Sequence, residues 1–283
     1  MERFETSVRY HPWYEHWHRY HFIKELVRGK KVCDVACGEG YGSAMLSSSA
    51  QAVTGVDIDR KTVQAAQQKY KNISNLNYIK SNALELCFGD SEFDVIVSFE
   101  TLEHLAEHDL LLDEFKRVLS KDGILIISTP DKDVYSADED HNEYHIKELT
   151  KVEFDHLISS KFSFTQTFGQ QFRLMSVIEN LQDSMPNQNS QHIYVEPGKE
   201  QSLIGNNSLA KYLIKICTDN KQSLSKLGMI DWHAFSDAEN SLYHHFEEQI
   251  QRLLLIDKQN HGLRDTIAKQ NAIINHLKSR LGY

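Results

Sequence analysis

The chain lacks the features that would place it in a membrane or in an oxidising compartment. Its four cysteines, Cys33, Cys37, Cys87 and Cys217, show no CxxC spacing of a zinc site. A reduced, cytoplasmic setting is the simplest account of them. No apolar run approaches the ~20 residues of a membrane-spanning helix, and the opening Met-Glu-Arg-Phe-Glu does not read as a signal peptide. Base is in deficit: 31 Lys and Arg stand against 40 Asp and Glu, a net charge of −9. No basic stripe interleaved with aromatics appears, which argues against nucleic acid as a partner. Prolines number four, and none follows Ser236. At 283 residues the chain is long enough for one sizeable domain with appendages.

What is present is a strand-like run that enters a glycine-rich turn, Val32-Cys33-Asp34-Val35-Ala36-Cys37-Gly38-Glu39-Gly40-Tyr41-Gly42. A second run, Ala52-Val53-Thr54-Gly55-Val56-Asp57, ends on an acid. Strand, tight turn, helix and strand with a terminal acid are the parts of a nucleoside-binding unit. Glycine lets backbone approach a ligand closely, and a carboxylate at Asp57 can accept both hydrogen bonds of a ribose diol. A dinucleotide fingerprint would want a third small residue, for which Ser43 would have to serve, and has no use for Asp34.

The turn resembles motif I of the class I S-adenosylmethionine-dependent methyltransferases, acid-x-Gly-x-Gly-x-Gly. Asp34, Gly38 and Gly40 match it, and Ala36 replaces the first glycine. The pattern continues through Asn77-Tyr78-Ile79-Lys80 with Asn82 beyond it, then Phe93-Asp94-Val95-Ile96-Val97-Ser98. A helix over 110–119 and a buried strand over 124–130 follow. Strands alternating with helices at this spacing imply a doubly wound, seven-stranded, mostly parallel sheet. The resemblance implies S-adenosylmethionine as cofactor, held by Asp34, Ala36, Gly38, Gly40, Asp57, Ile58, Asn82, Ala83 and Ser98. Asp34 would offset the donor's positive charge or order the turn.

Residues 1–30 carry four histidines among aromatics, from Tyr10 to Phe22. Helical spacing puts Trp13, Trp17 and Tyr20 on one side, as expected of a packing helix that lids the cofactor mouth; in this family His16, Arg19 or Tyr20 would then reach the cofactor. A hydroxyl acceptor must lose its proton as its oxygen attacks, so a base is expected beyond the fourth strand. Glu100 and His104, four apart, would share a helical face there, with His104 as base and Glu100 or Glu103 orienting its ring. Residues 131–142 read as a polar surface loop. In the methyltransferases that this chain resembles, the segment matching His141, Tyr144 and His145 shapes the acceptor pocket, which implies substrate contact for these residues. His141 and His145 look like a metal pair, but a capping box at Thr150 and Glu153 marks a helix start and leaves the pair outside a helix. No metal ligand is assigned.

Residues 31–218 are thus expected to form the methyltransferase core, closed by an antiparallel hairpin interrupted by an insertion over 169–210, with a helix near 172–181. In residues 236–283, Ile256, Asn260, Leu263, Ile267, Gln270, Ile274, Leu277 and Leu281 recur by four and three. That is a coiled-coil seam suited to a homo-oligomer or to docking on a partner. The motif wording also resembles methyltransferases that accompany glycosyltransferases in surface-polysaccharide assembly. It implies O-methylation of a sugar hydroxyl on a glycan or nucleotide-sugar. A quinone precursor or natural product as acceptor, and a non-catalytic adaptor built on the coil, are the alternatives.

Overall fold

The computed structural model describes residues 11–138, 142, 144–172, 193–195, 202–204, 210–224 and 241–281. They divide into two compact units, one spanning 12–233 and one that comprises most of the chain's end, from 234 onward.

The first unit is built on a seven-stranded sheet of β1 (Lys31–Val35), β2 (Ala52–Asp57), β3 (Leu76–Lys80), β4 (Phe93–Ser98), β5 (Leu119–Pro130), β6 (Phe164–Gln170) and β9 (Tyr212–Thr218). Their order across the sheet is β3-β2-β1-β4-β5-β9-β6. The pairs β3–β2, β2–β1, β1–β4 and β4–β5 are parallel. β9 slots antiparallel between β5 and β6, so the expected closing hairpin is present. Three-residue strands β7 (Ile193–Val195) and β8 (Ser202–Ile204) pair antiparallel inside the insertion. The rest of the insertion, including the helix expected over 172–181, lies outside the described residues.

The apolar runs are continuous because both faces of the sheet are covered. Along β4 and β5, Ile96, Leu125 and Ile127 face one core with Leu111, Leu112 and Phe115 of α4 (His108–Val118). The intervening Val95, Val97, Ile124 and Ile126 face the other, with Ile23 of α1 (His11–Ile23) and Leu46 of α2 (Tyr41–Ser47). Local signals set the helix starts. Asp59 accepts from Thr62 N at 2.8 Å to cap α3 (Arg60–Lys69). Thr150 and Glu153 form the expected capping box of α6 (Lys151–Ser159).

Two local expectations are corrected. Residues 132–138 are not loop but the short helix α5 (Lys132–Asp138). Asp131 starts it by accepting from the Asp133 amide at 3.3 Å, acid at its amino end suits the helix dipole, and buried Tyr135 anchors it. β5 also begins earlier than 124, because Leu119 already pairs with Phe93 across an irregular register.

In the second unit α7 (Ser241–Leu281) is one 41-residue helix. Among the described residues, no helix is long and apolar enough to cross a membrane.

Candidate active site

The order of the sheet reverses at β1: the chain moves outward through β2 and β3, then returns to place β4 on β1's other edge. Ligand crevices form outside the carboxyl ends of strands at such a point. Three loops meet there, after β1, β2 and β4.

After β1, Ala36, Gly38 and Gly40 all take left-handed backbone, with φ of 61°, 53° and 79°. Gly40 is doubly required, since a Cβ on it would stand 2.5 Å from the Tyr78 ring. The Tyr78 hydroxyl braces the turn by donating to Gly40 O at 2.6 Å. A Cβ on Gly38 would meet no protein atom within 4 Å and would stand in the cleft instead. After β2, Asp57 accepts from the amides of Gly38 at 3.1 Å and Asp59 at 2.8 Å. One carboxylate therefore ties the two loops together.

Asp34 stands behind this wall. It is fully buried and accepts from Ser43 Oγ at 2.6 Å and Tyr20 Oη at 3.1 Å. Burial pushes its carboxyl up to about 7 despite those two bonds. Of the two roles weighed for it, the geometry shows the ordering one. Tyr20 spends its hydroxyl on Asp34 and packs its ring edge-on to Phe99, with centroids 5.0 Å apart. Trp17 stacks on Tyr41 with ring planes 7° apart, so α1 is docked on the core as a packing helix. The side chain of Trp13 lies outside the described residues.

The loops enclose a cleft of about 740 Å³, within the ~300–1,000 Å³ range of small-molecule sites. Of the expected cofactor residues, Tyr20, Ala36, Gly38, Asp57, Ile58, Asn82 and Ala83 line it. Asp34, Gly40 and Ser98 do not; they lie in the shell that shapes it. Ser98 is wholly buried at the end of β4. Asn82 turns its Oδ1 to the Leu84 amide at 3.1 Å, forming a turn at the cleft edge. His16, Tyr41 and Lys61 also line the cleft. Of these, Tyr41 and Lys61 escaped sequence reading, although Lys61 falls in the first turn of the helix after Asp57, where it could have been counted. Burial, then the Arg19 charge, holds the His16 imidazole well below its ordinary value.

The expected helical face shared by Glu100 and His104 does not form. Glu100 sits in left-handed backbone at φ 49°, and only Leu102–His104 makes a single 3-10 turn. Glu100 Oε1 accepts from Ser128 Oγ at 2.6 Å and meets Arg19 NH1 at 3.2 Å. Arg19 is 1% exposed, donates to Gln170 Oε1 at 2.6 Å, and lays its guanidinium 4.5 Å over the Tyr212 ring. The acid facing His104 is Glu103, whose Oε1 stands 4.0 Å from Nε2. Both Glu100 and His104 line the cleft.

Residues 144–150 fold over this end. The Glu103 carbonyl accepts from the Ile146 and Lys147 amides at 2.8 and 3.1 Å, and Tyr144 O lies 2.9 Å from His104 Nδ1. His145 comes ring to ring with His104, centroids 5.1 Å apart. Tyr144 and His145 do not line the cleft itself. His141 lies outside the described residues.

Residues 33–127 match a family model described as a methyltransferase domain. The match encloses β1 through most of β5, and with them the three loops of the cleft. Over 153 residues the chain is 31% identical to a probable S-adenosylmethionine-dependent methyltransferase of Mycolicibacterium smegmatis, covering 53% of this chain and 58% of that protein. It is 32% identical over 111 residues to a ubiquinone biosynthesis O-methyltransferase of Glaesserella parasuis, covering 36% of this chain and 45% of that one. The chain thus spans about half the length of the curated relatives it matches. A Thermotoga maritima structure titled a SAM-dependent methyltransferase superposes at TM-score 0.51, with 14% identity, over 73% of this chain and 90% of that one. That likeness is one of fold. The name of the Mycolicibacterium relative gives S-adenosylmethionine as its cofactor. The cleft suits such a group: open space over Gly38, and the Asp57 carboxylate on its wall.

Proposed function

We propose that this protein transfers a methyl group from S-adenosylmethionine to a hydroxyl oxygen, with a sugar hydroxyl of a glycan or nucleotide-sugar as acceptor. The observation that carries the reading is the cleft itself, which has open space over Gly38 and is lined by Asp57, Asn82 and His104. Gly38, Asp57, Ile58, Asn82 and Ala83 would hold the cofactor, whose sulfonium supplies an activated methyl when bound.

The chain's own task is alignment and proton handling. Alignment of two bound reactants is worth up to ~7–11 kcal/mol of barrier. His104 is the group in this reading that handles the acceptor's proton. With Nδ1–H given to Tyr144 O at 2.9 Å, its Nε2 keeps a free lone pair. Glu103, 4.0 Å from Nε2, takes the role of orienting the ring in this reading, rather than Glu100. Glu100 instead pairs with Arg19 and positions the strand end. His145, Tyr144 and His141 are assigned to the acceptor side, since the first two cover the His104 end. The cleft is largely apolar. The polar groups gathered at its His104 end, with Glu100 on the lining and Glu103 and His145 behind, are what favour a sugar over the apolar quinol that the ubiquinone-pathway relative suggests as a second reading. Incubation with methyl-labelled cofactor and parallel panels of sugars and quinols tests this. Label on a sugar supports it; label on the quinols alone overturns the acceptor assignment.

We further infer that α7 pairs with a second copy of itself, in the cytoplasm. Ile256, Leu263, Ile267 and Ile274 of the seam are 51%, 60%, 55% and 47% exposed, on a helix of their own. Sedimentation of the full chain should give a dimer or higher species, and a monomer at micromolar concentration would refute this.

A further inference from the structure

Glu103, His104 and His145 each bring one ligand atom within 4.8 Å of the others. We propose that these three side chains hold a divalent transition-metal cation at the acceptor end of the cleft, in a site of two imidazoles and one carboxylate. The pairing joins residues 41 positions apart and differs from the His141–His145 pair that the sequence suggests.

Both rings are set in the tautomer a metal requires. His104 Nδ1 donates to Tyr144 O at 2.9 Å, which leaves the Nε2 lone pair facing Glu103 Oε1. His145 Nδ1 is matched to the Glu148 carboxylate at 2.5 Å, while its Nε2 accepts from Asn142 Nδ2 at 3.2 Å. Acceptors behind the ligating imidazoles fix ring orientation and raise ligand basicity. Glu103 is held from behind in the same way, its Oε2 accepting from Thr129 Oγ1 at 3.1 Å. On cation binding, Asn142 swings off Nε2, and the 4.0 Å between Glu103 and His104 closes to about 3.3 Å, the spacing of ligands around a tetrahedral ion.

Exposure is graded across the three. The side chains of Glu103, His145 and His104 are 1%, 5% and 32% exposed, so the site is closed on the protein side and opens through His104 to the cleft. Two nitrogens and one oxygen suit zinc, manganese, iron(II) or cobalt(II), and suit calcium or magnesium poorly because those ions prefer oxygen donors. Resting on the methyltransferase reading, the open positions would take acceptor oxygens and lower the hydroxyl pKa. His104 would then serve as a ligand in place of base, its Nε2 lone pair spent on the ion, and the acidified hydroxyl would give its proton to water in the cleft.

The test is a cobalt(II) titration of the full chain after dialysis against chelator, followed by visible d–d absorption. One cobalt per chain is expected, with affinity at least ~100-fold weaker in His145→Ala and in Glu103→Gln, since even the outer partners of a metal site are worth 10–100-fold. His261→Ala, a change on exposed α7, should leave the titration unchanged. The same His145→Ala sample should still bind S-adenosylmethionine, which shows it folded and separates failure of this site from failure of the methyltransferase reading. Absent bands, or bands unchanged in a folded His145→Ala, would overturn the proposal.

Discussion

Ala36→Gly should stabilise the protein. Ala36 follows β1 with φ at 61°, in the left-handed region where its methyl crowds the following carbonyl. That conformation costs an alanine roughly 1–2 kcal/mol and glycine almost nothing. Against the gain stands the extra freedom glycine adds to the unfolded chain, about 0.4–1 kcal/mol. The methyl lines the cleft and is exposed, so its removal leaves no core cavity. The balance is a net stabilisation of about 0.5–1 kcal/mol, or about 1–4 °C in melting temperature for a unit of this size. Thermal and urea unfolding followed by far-ultraviolet dichroism measure it, and the two should agree in sign. Unchanged or lowered stability would show that Ala36 is not strained, and would remove the explanation for a glycine at that place in motif I.

Four other outcomes are expected. Gly42→Ala puts a Cβ 2.0 Å from the Tyr20 ring, so urea unfolding should show a loss of at least ~1–3 kcal/mol as α1 is pushed off α2. Asp34 holds its proton up to about 7 in the fold against an ordinary 3.8, so its contribution is complete below pH ~4 and is lost as pH rises toward 7. In Asp34→Asn that loss disappears, and the variant's urea midpoint relative to the parent should climb steadily between pH 4 and 7. On the proposed reading Asp57 is the acceptor for two ribose hydroxyls, so in Asp57→Ala calorimetry should show cofactor binding weakened at least ~100-fold at ~1.5–3 kcal/mol per charged hydrogen bond. His104→Ala should spare cofactor binding and slow turnover by about 10²–10⁴-fold, the usual worth of proton handling, and turnover equal to the parent's would end its assignment.

The sheet was legible because its signals are local. Glycines after β1, an acid ending β2 and apolar runs in β4 and β5 each mark a strand end within a few residues, and the structure brings those ends together. The capping box at Thr150 was legible for the same reason. What could not be read depends on partners distant in the chain. Arg19 meets Gln170 across 151 residues, and His104 meets Tyr144 across 40. Spacing put Glu100 beside His104, but the left-handed backbone at Glu100 breaks the turn and sends its carboxylate to Arg19. Asp34 matched its motif and yet stands behind the cleft, because its carboxylate accepts from Ser43 and Tyr20 on the two helices packed there.

Calorimetric titration with S-adenosylmethionine, run beside one with NAD, tests the central claim most directly. Saturable binding of S-adenosylmethionine at one site per chain, abolished in Asp57→Ala and absent for NAD, is the predicted result. Binding of NAD instead, or of neither, would contradict it, and in the latter case the long helix α7 becomes the working part of an adaptor.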